Sequence, residues 1–203
     1  MTFPQQSPID LGGTVFTDYG NRGLKIRWRK SASGEIVTGP HGKKRVSFNA
    51  RNSDYASLEG NQFHLVGFHF HWPSEHWVDD NQQSMELHIV HQNTNRENGD
   101  RTVLGVFIEE EGKSGAKRTL RGAEDATLVS TNPWDWIPEN VSQYYRYEGS
   151  LTTKPYTENV HWAVFRRSLV VPKQLFALLK KEYCESARLP QPLHRRFVLA
   201  NFK

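Results

Sequence analysis

Successive side chains leave a β-strand on opposite faces, so alternation of apolar and polar positions marks a half-buried strand. Leu24, Ile26 and Trp28 alternate with Lys25 and Arg27, which predicts a strand over 24–28, followed by a turn at Ser31-Ala32-Ser33-Gly34. Gly39-Pro40-His41-Gly42 is a second turn, leading into a strand over 45–49. Two longer β-like runs cover 63–72 and 85–92. Thr102-Val103-Leu104-Gly105-Val106-Phe107-Ile108 is almost unbroken in its apolarity, as in a central strand covered on both faces. Further strands are expected over 144–153, 160–165 and 196–200, and Gln5-Gln6-Ser7-Pro8-Ile9-Asp10 reads as an extended lead-in. Helical spacing is confined to 172–181, with Pro172 allowed in the first turn and Lys180 and Lys181 late. Between Gly112 and Pro138 the residues turn polar, with Gly, Pro and Asn punctuation, and loops and short helices are expected. No repeat or linker interrupts the pattern, so the expectation is one β-dominated domain over 1–203.

Two of these runs carry more than a fold signal. In Gly67-Phe68-His69-Phe70-His71-Trp72-Pro73-Ser74-Glu75-His76, strand alternation sends His69 and His71 one way, and Phe68, Phe70 and Trp72 the other, into a core. In Met85-Glu86-Leu87-His88-Ile89-Val90-His91, the side chains of Glu86, His88 and Val90 share a face. If the runs lie side by side, three imidazoles converge. Three histidines with one open position is the donor set of a catalytic zinc site, whereas structural zinc sites are closed by four ligands, usually with cysteine. The chain has one cysteine, Cys184, which favours the open site. A histidine in a strand is by itself an ordinary core or surface residue, and His-x-His is a weak motif. The aromatic run around the pair and the carboxylate two residues before His88 strengthen it, because a ligand histidine hands its second N–H to such an acceptor.

Composition narrows the class. With 203 residues and 36% hydrophobic content, the chain can bury a sizeable core, and no run approaches the ~20 apolar residues that span a bilayer. Cys184 has no partner for a disulfide within the chain, so a reducing compartment is allowed. The opening Met1-Thr2-Phe3-Pro4 has neither a basic nor an apolar leader region, so a cytoplasmic location is expected, or a periplasmic or secreted one if a leader has been removed. The net charge of +4 comes from bases scattered in short groups such as Lys43-Lys44-Arg45 and Arg166-Arg167, a solvated surface and not a nucleic-acid stripe. No nucleic-acid or membrane partner is expected, and the oligomeric state is open.

With these residues in hand, the sequence resembles the α-class carbonic anhydrases. The resemblance runs through Gln6-Ser7-Pro8-Ile9-Asp10, Phe68-His69-Phe70-His71-Trp72, Ser74-Glu75-His76, Glu86-Leu87-His88-Ile89-Val90-His91 and Val103-Leu104-Gly105-Val106-Phe107. Tyr144-Tyr145-Arg146-Tyr147-Glu148-Gly149-Ser150-Leu151-Thr152-Thr153 is its most distinctive stretch, and Gln191-Pro192-Leu193 with Arg195 or Arg196 ends it. It implies a β-dominated α+β fold: a single domain on a large, mostly antiparallel twisted sheet with a few short helices, and zinc in a conical cavity. By this resemblance His69, His71 and His88 hold the zinc, with Glu86 orienting His88. Thr152, hydrogen-bonded to Glu75, aims a zinc-bound hydroxide at carbon dioxide to give bicarbonate and a proton. Val90, Val103, Leu151 and Trp162 form the apolar substrate pocket, and Thr153 lies beside Thr152.

The chain departs from the family pattern at four places. Gly67 stands where the family has a glutamine that hydrogen-bonds the first ligand. Val46 stands where many members place a proton-shuttling histidine, leaving His41, in the turn before it, as the other candidate relay. Thr152-Thr153-Lys154-Pro155 replaces Thr-Thr-Pro-Pro, with Tyr156 where many secreted members have a disulfide cysteine. The aromatic segment ahead of the Gln-Ser-Pro motif has no counterpart. Alongside zinc-dependent hydration of carbon dioxide, two alternatives stay open: a non-catalytic binding module on the same fold, and a weak zinc-dependent esterase.

Overall fold

The computed structural model describes residues 4–39, 42–49, 53–93, 99–113 and 129–203. In chain order the strands are β1 (Val15–Phe16), β2 (Lys25–Arg27), β3 (Glu35–Thr38), β4 (Lys44–Ser47), β5 (Tyr55–Leu58), β6 (Asn61–His71), β7 (Trp77–Val78) and β8 (Asn81–Gln82). They continue with β9 (Met85–Gln92), β10 (Arg101–Glu110), β11 (Tyr144–Gly149), β12 (Val160–Phe165), β13 (Leu169–Val171), β14 (Cys184–Glu185) and β15 (Leu199–Ala200). Thirteen of them form one sheet, whose main path runs β1-β15-β11-β12-β10-β9-β6-β4-β3. Most neighbours are antiparallel, but β1/β15, β10/β12, β10/β13 and β6/β14 pair in parallel, so the sheet is mixed.

Register places the side chains. One row across the sheet reads His69–His88–Gly105–Val164–Tyr145, and the next reads Gly67–Val90–Val103–Trp162–Tyr147. Because strands alternate with a period of two, both rows lie on one face. The other face carries Phe68, Phe70, Leu87, Ile89, Leu104, Val106 and Phe165, which pack with Trp136, Leu175 and Leu179 into the main core. A fully buried side chain of this size contributes about 1.5–3 kcal/mol of transfer free energy, so this face holds the sheet in shape. A second cluster, with Ile9, Leu11, Phe107, Tyr147 and Trp162, sits on the histidine face. β10 is buried on both sides along most of its length, as its apolar run leads one to expect.

The helical segment begins as α1 (Lys173–Leu178) after Pro172 and continues as a π-helical turn over Leu179–Tyr183, burying Leu175, Phe176 and Leu179. Of the polar stretch between Gly112 and Pro138, residues 114–128 lie outside the described residues. Its described end forms the 3-10 turn Pro133–Trp136, capped by the Asn132 side chain, which accepts from Trp134 N–H. Among the described residues no helix is long and apolar enough to cross a membrane.

Three expectations are corrected. The strand expected over 144–153 ends at Gly149, because the chain there turns onto the N-terminal lead-in: a Cβ on Gly149 would collide with the Ser7 hydroxyl, and Ser150 N–H donates to Ser7 Oγ at 3.0 Å. The terminal strand expected over 196–200 is only β15. Trp72 does not enter the core. β6 ends at His71, alternation ends with it, and the Trp72 ring is 41% exposed beneath Lys180, whose Nζ sits 3.6 Å from the ring centroid.

Candidate metal centre

β6 and β9 pair antiparallel with His69 opposite His88 and His71 opposite Glu86, so the alternation read from sequence becomes a cluster. One ligand atom each from His69, His71 and His88 lies within 4.8 Å of the others. The strand pairing is irregular between Leu65 and Gly67, and beyond it Gly67, His69 and His71 all face the same side as Glu86, His88 and Val90.

A second group, His76, Glu86 and His88, is equally tight, and hydrogen bonding separates the two. His76 Nδ1 lies 2.6 Å from Glu86 Oε1, and its Nε2 lies 2.6 Å from Tyr147 Oη. Glu86 Oε2 accepts from the backbone N–H groups of Glu75 and His76 at 3.0 and 2.8 Å. Every polar atom of His76 and Glu86 is thus engaged, and that group is a scaffold. In the first group one nitrogen per buried ring is held and the other left over. His88 Nε2 is 2.9 Å from Glu86 Oε1, which leaves Nδ1. His71 Nδ1 is 3.3 Å from the Ser186 carbonyl, and its buried Nε2 has no hydrogen-bond partner. Such an orphaned nitrogen, with its tautomer fixed from behind, suits a metal ligand. The donor set therefore fits zinc.

The electrostatics favour a neutral ring at two of the three histidines. Burial lowers His69 and His71 below the ordinary imidazole range, with the neighbouring histidines adding to the effect at His69. Both rings are then neutral with lone pairs to give. Burial also works against a charge on His88, but Glu86 beside it outweighs burial and raises it. Burial opposes the Glu86 carboxylate too, yet His76 and His88 hold its pKa well below the usual range. Gly105, opposite His88, leaves room for that carboxylate: a Cβ there would lie 3.1 Å from Glu86 Oε1 and 3.0 Å from Val164.

Beside the cluster, reached through His69, opens a cavity of about 570 Å³, lined in part by His69, Glu75, Thr152, Thr153, Arg45 and Arg188. Thr152 and Glu75 share this wall, but the structure draws no hydrogen bond between them. Glu75 Oε1 accepts from Arg188 N–H at 2.8 Å, and Oε2 has no hydrogen-bond partner, standing 3.6 Å from His71 Nε2 and 3.8 Å from His88 Nδ1. The carboxylate leans toward the two unspent nitrogens. Of the expected apolar pocket, Val90 lines a second hollow of about 200 Å³ that also touches His69. Val103 and Trp162 are buried, with Val90 and Leu151 packed against them, and the Trp162 ring lies 4.8 Å from that of His88.

Two readings of the departures change. Gly67 is required by the backbone, since any Cβ at 67 would sit 2.6 Å from the Val46 carbonyl oxygen. Val46 does not face the cavity. It is 1% exposed in the main core, and Arg45 takes the place on the cavity wall. The strand turns alternate side chains to alternate faces, so counting back to the shuttle position by sequence lands on the wrong side. Histidine at 46 therefore cannot act as a relay. Val46→His should bury an imidazole without a partner and cost about 1–3 kcal/mol, seen as a lower urea midpoint. An unchanged midpoint would show that residue 46 reaches solvent. His41 lies outside the described residues.

Sequence reasoning did not single out His76, Tyr147 and Ser7, which join the histidine cluster to the N-terminal lead-in: Tyr147 Oη is 2.9 Å from Ser7 Oγ as well as close to His76. The signal available was the Ser-Glu-His run itself, whose final histidine has no strand partner to explain it.

The profile of the eukaryotic-type carbonic anhydrase family matches residues 2–202. A carbonic anhydrase of Nostoc sp. is 31% identical, the match covering 96% of this chain and 75% of that protein. Among solved structures, the α-carbonic anhydrase of Photobacterium profundum superposes with a TM-score of 0.78 at 27% identity, covering 96% of this chain and 88% of that one. That of Thermovibrio ammonificans gives a TM-score of 0.77 at 28% identity, covering 96% and 86%. Sheet, histidine cluster and sequence agree, and the chain belongs to the eukaryotic-type, or α, carbonic anhydrase family.

Proposed function

We propose that this chain catalyses the reversible hydration of carbon dioxide to bicarbonate and a proton, with zinc held by His69, His71 and His88. The observation that carries the reading is the set of ring nitrogens left unspent at the cavity, backed by partners on the opposite ring nitrogens of His71 and His88. Zinc bound there would lower the pKa of a water ligand to about 7, as is established for carbonic anhydrases, and so supply a nucleophile at neutral pH. The protein residues do the rest. Neutral imidazoles donate lone pairs without cancelling the charge that acidifies the water. Glu86 and the Ser186 carbonyl fix the ring orientations of His88 and His71. The Thr152 hydroxyl, beside the Glu75 carboxylate, orients the nucleophile. Val90, Val103, Leu151 and Trp162 give an uncharged substrate an apolar wall, and Thr153 borders it.

The released proton must cross the cavity. Among the described residues lining it, His69 is the one histidine, and it is a ligand. Turnover is therefore expected to depend on exogenous buffer. The deciding experiment is zinc analysis of the purified protein with stopped-flow carbon dioxide hydration across a series of imidazole concentrations at fixed pH and ionic strength. One zinc per chain and a kcat that climbs with buffer, at constant kcat/KM, support the proposal. Zinc without hydration would favour a binding module.

A further inference from the structure

The hollow of about 200 Å³ shares two residues, Arg45 and His69, with the main cavity, and Ser47, Gly67 and Val90 complete the part of its wall that matters here. Gly67 is part of its wall, and the Val46 carbonyl stands where a side chain at 67 would begin. The polar side chains around it are unspent. Arg45 is exposed and, among the described residues, its guanidinium makes no hydrogen bond or ion pair. The same holds for the Ser47 hydroxyl and for the His69 ring, and no carboxylate lines this hollow. All three side chains can donate, and one is a permanent cation. Arg188, the other arginine of the main cavity, is by contrast committed: it donates to Gln6 Oε1 and the Ser7 carbonyl at 3.0 and 2.7 Å and stacks on Tyr156.

We propose that this hollow is a subsite for a small monovalent oxyanion of bicarbonate's class, gripped by Arg45 and accepting the outer ring N–H of His69. The planar fork of a guanidinium matches two oxygens of such an anion. The anion would then do for His69 what Glu86 does for His88, and would supply the acceptor that Gly67 cannot. The inference rests on the reading of His69 as a zinc ligand, and it makes ligand retention depend on the reaction's own product.

The test uses formate as the probe anion. Zinc-loaded protein is mixed with excess chelator, and zinc release is timed in sodium formate and in sodium tetrafluoroborate of equal ionic strength. Formate should slow release about tenfold, the lower end of what an outer partner of a ligand histidine contributes. In Arg45→Gln, release should be fast in both salts. Equal formate protection in Arg45→Gln would place the anion on the metal alone and overturn the proposal, as would no protection in the unaltered protein. A formate titration of the metal-free protein, followed by the Arg45 Nε–H resonance, gives a readout independent of zinc. Movement of that resonance in a protein that takes up no zinc would sink the hydration reading and leave the subsite standing.

Discussion

Replacing His88 by alanine should abolish carbon dioxide hydration and empty the chain of zinc. Of the three proposed ligands, His88 is the one most firmly held from behind: its Nε2 lies against a carboxylate that is itself fixed by two backbone N–H groups and by His76. That arrangement would present Nδ1 to a bound metal in one tautomer and one orientation. Losing even an outer partner of a ligand histidine costs about 10–100-fold in affinity or activity, and losing the ligand removes one of three donor atoms. Zinc content and stopped-flow rate should fall together. Glu86 keeps His76 and both backbone donors, so the scaffold persists and the far-UV circular dichroism spectrum should be retained. Full activity in the variant would place the metal elsewhere.

Thr152→Ala should separate the two readouts that His88→Ala moves together. Thr152 lies on the cavity wall with Glu75 and His69, and it is not one of the three imidazoles proposed to hold the metal. Its hydroxyl is the neutral donor and acceptor nearest in role to an oxyanion-hole group, and removing one such preorganised contact costs about 10²–10³-fold in rate. The expected result is one zinc per chain, with kcat/KM for hydration lower by that factor. Glu75 remains held by Arg188 N–H, so the loss would belong to the hydroxyl. An unchanged rate would show that Thr152 does not face the reacting atoms.

Local pattern carried much of this site, and pairing between distant segments carried the rest. β9 and β12 match the expected strands residue for residue, because polar residues flank both and β-branched or aromatic residues recur inside them. The histidine triad was legible since it needs only strand alternation and one antiparallel pairing. Strands as short as β13 and β14 have no period of their own. Cys184 and Glu185 become a strand only by lying parallel to Phe70 and His71, a partnership that nothing near residue 184 announces. The face of Val46 was misread for the same reason, since register against β6 sets it and alternation alone leaves two choices. Gly67 looked like a lost side chain in the sequence, and the strand crossing it shows an obligatory one.

The pairing of β14 with β6 also sets when the site can come into being. Glu185 sits opposite His71, and Ser186 supplies the carbonyl behind that ring, while Ser7 joins Ser150 and Tyr147 from the other end of the chain. Contacts between such distant segments form late, because loop closure must be met before they reward it. β6 and β9 precede β14 and can pair without it, yet the His71 ring is held from behind only once the segment carrying Ser186 is in place. In a chain that folds as it is made, the histidine cluster would therefore stay loose until that later segment pairs with β6, so the order of the segments as well as their pairing governs when a metal could be held there.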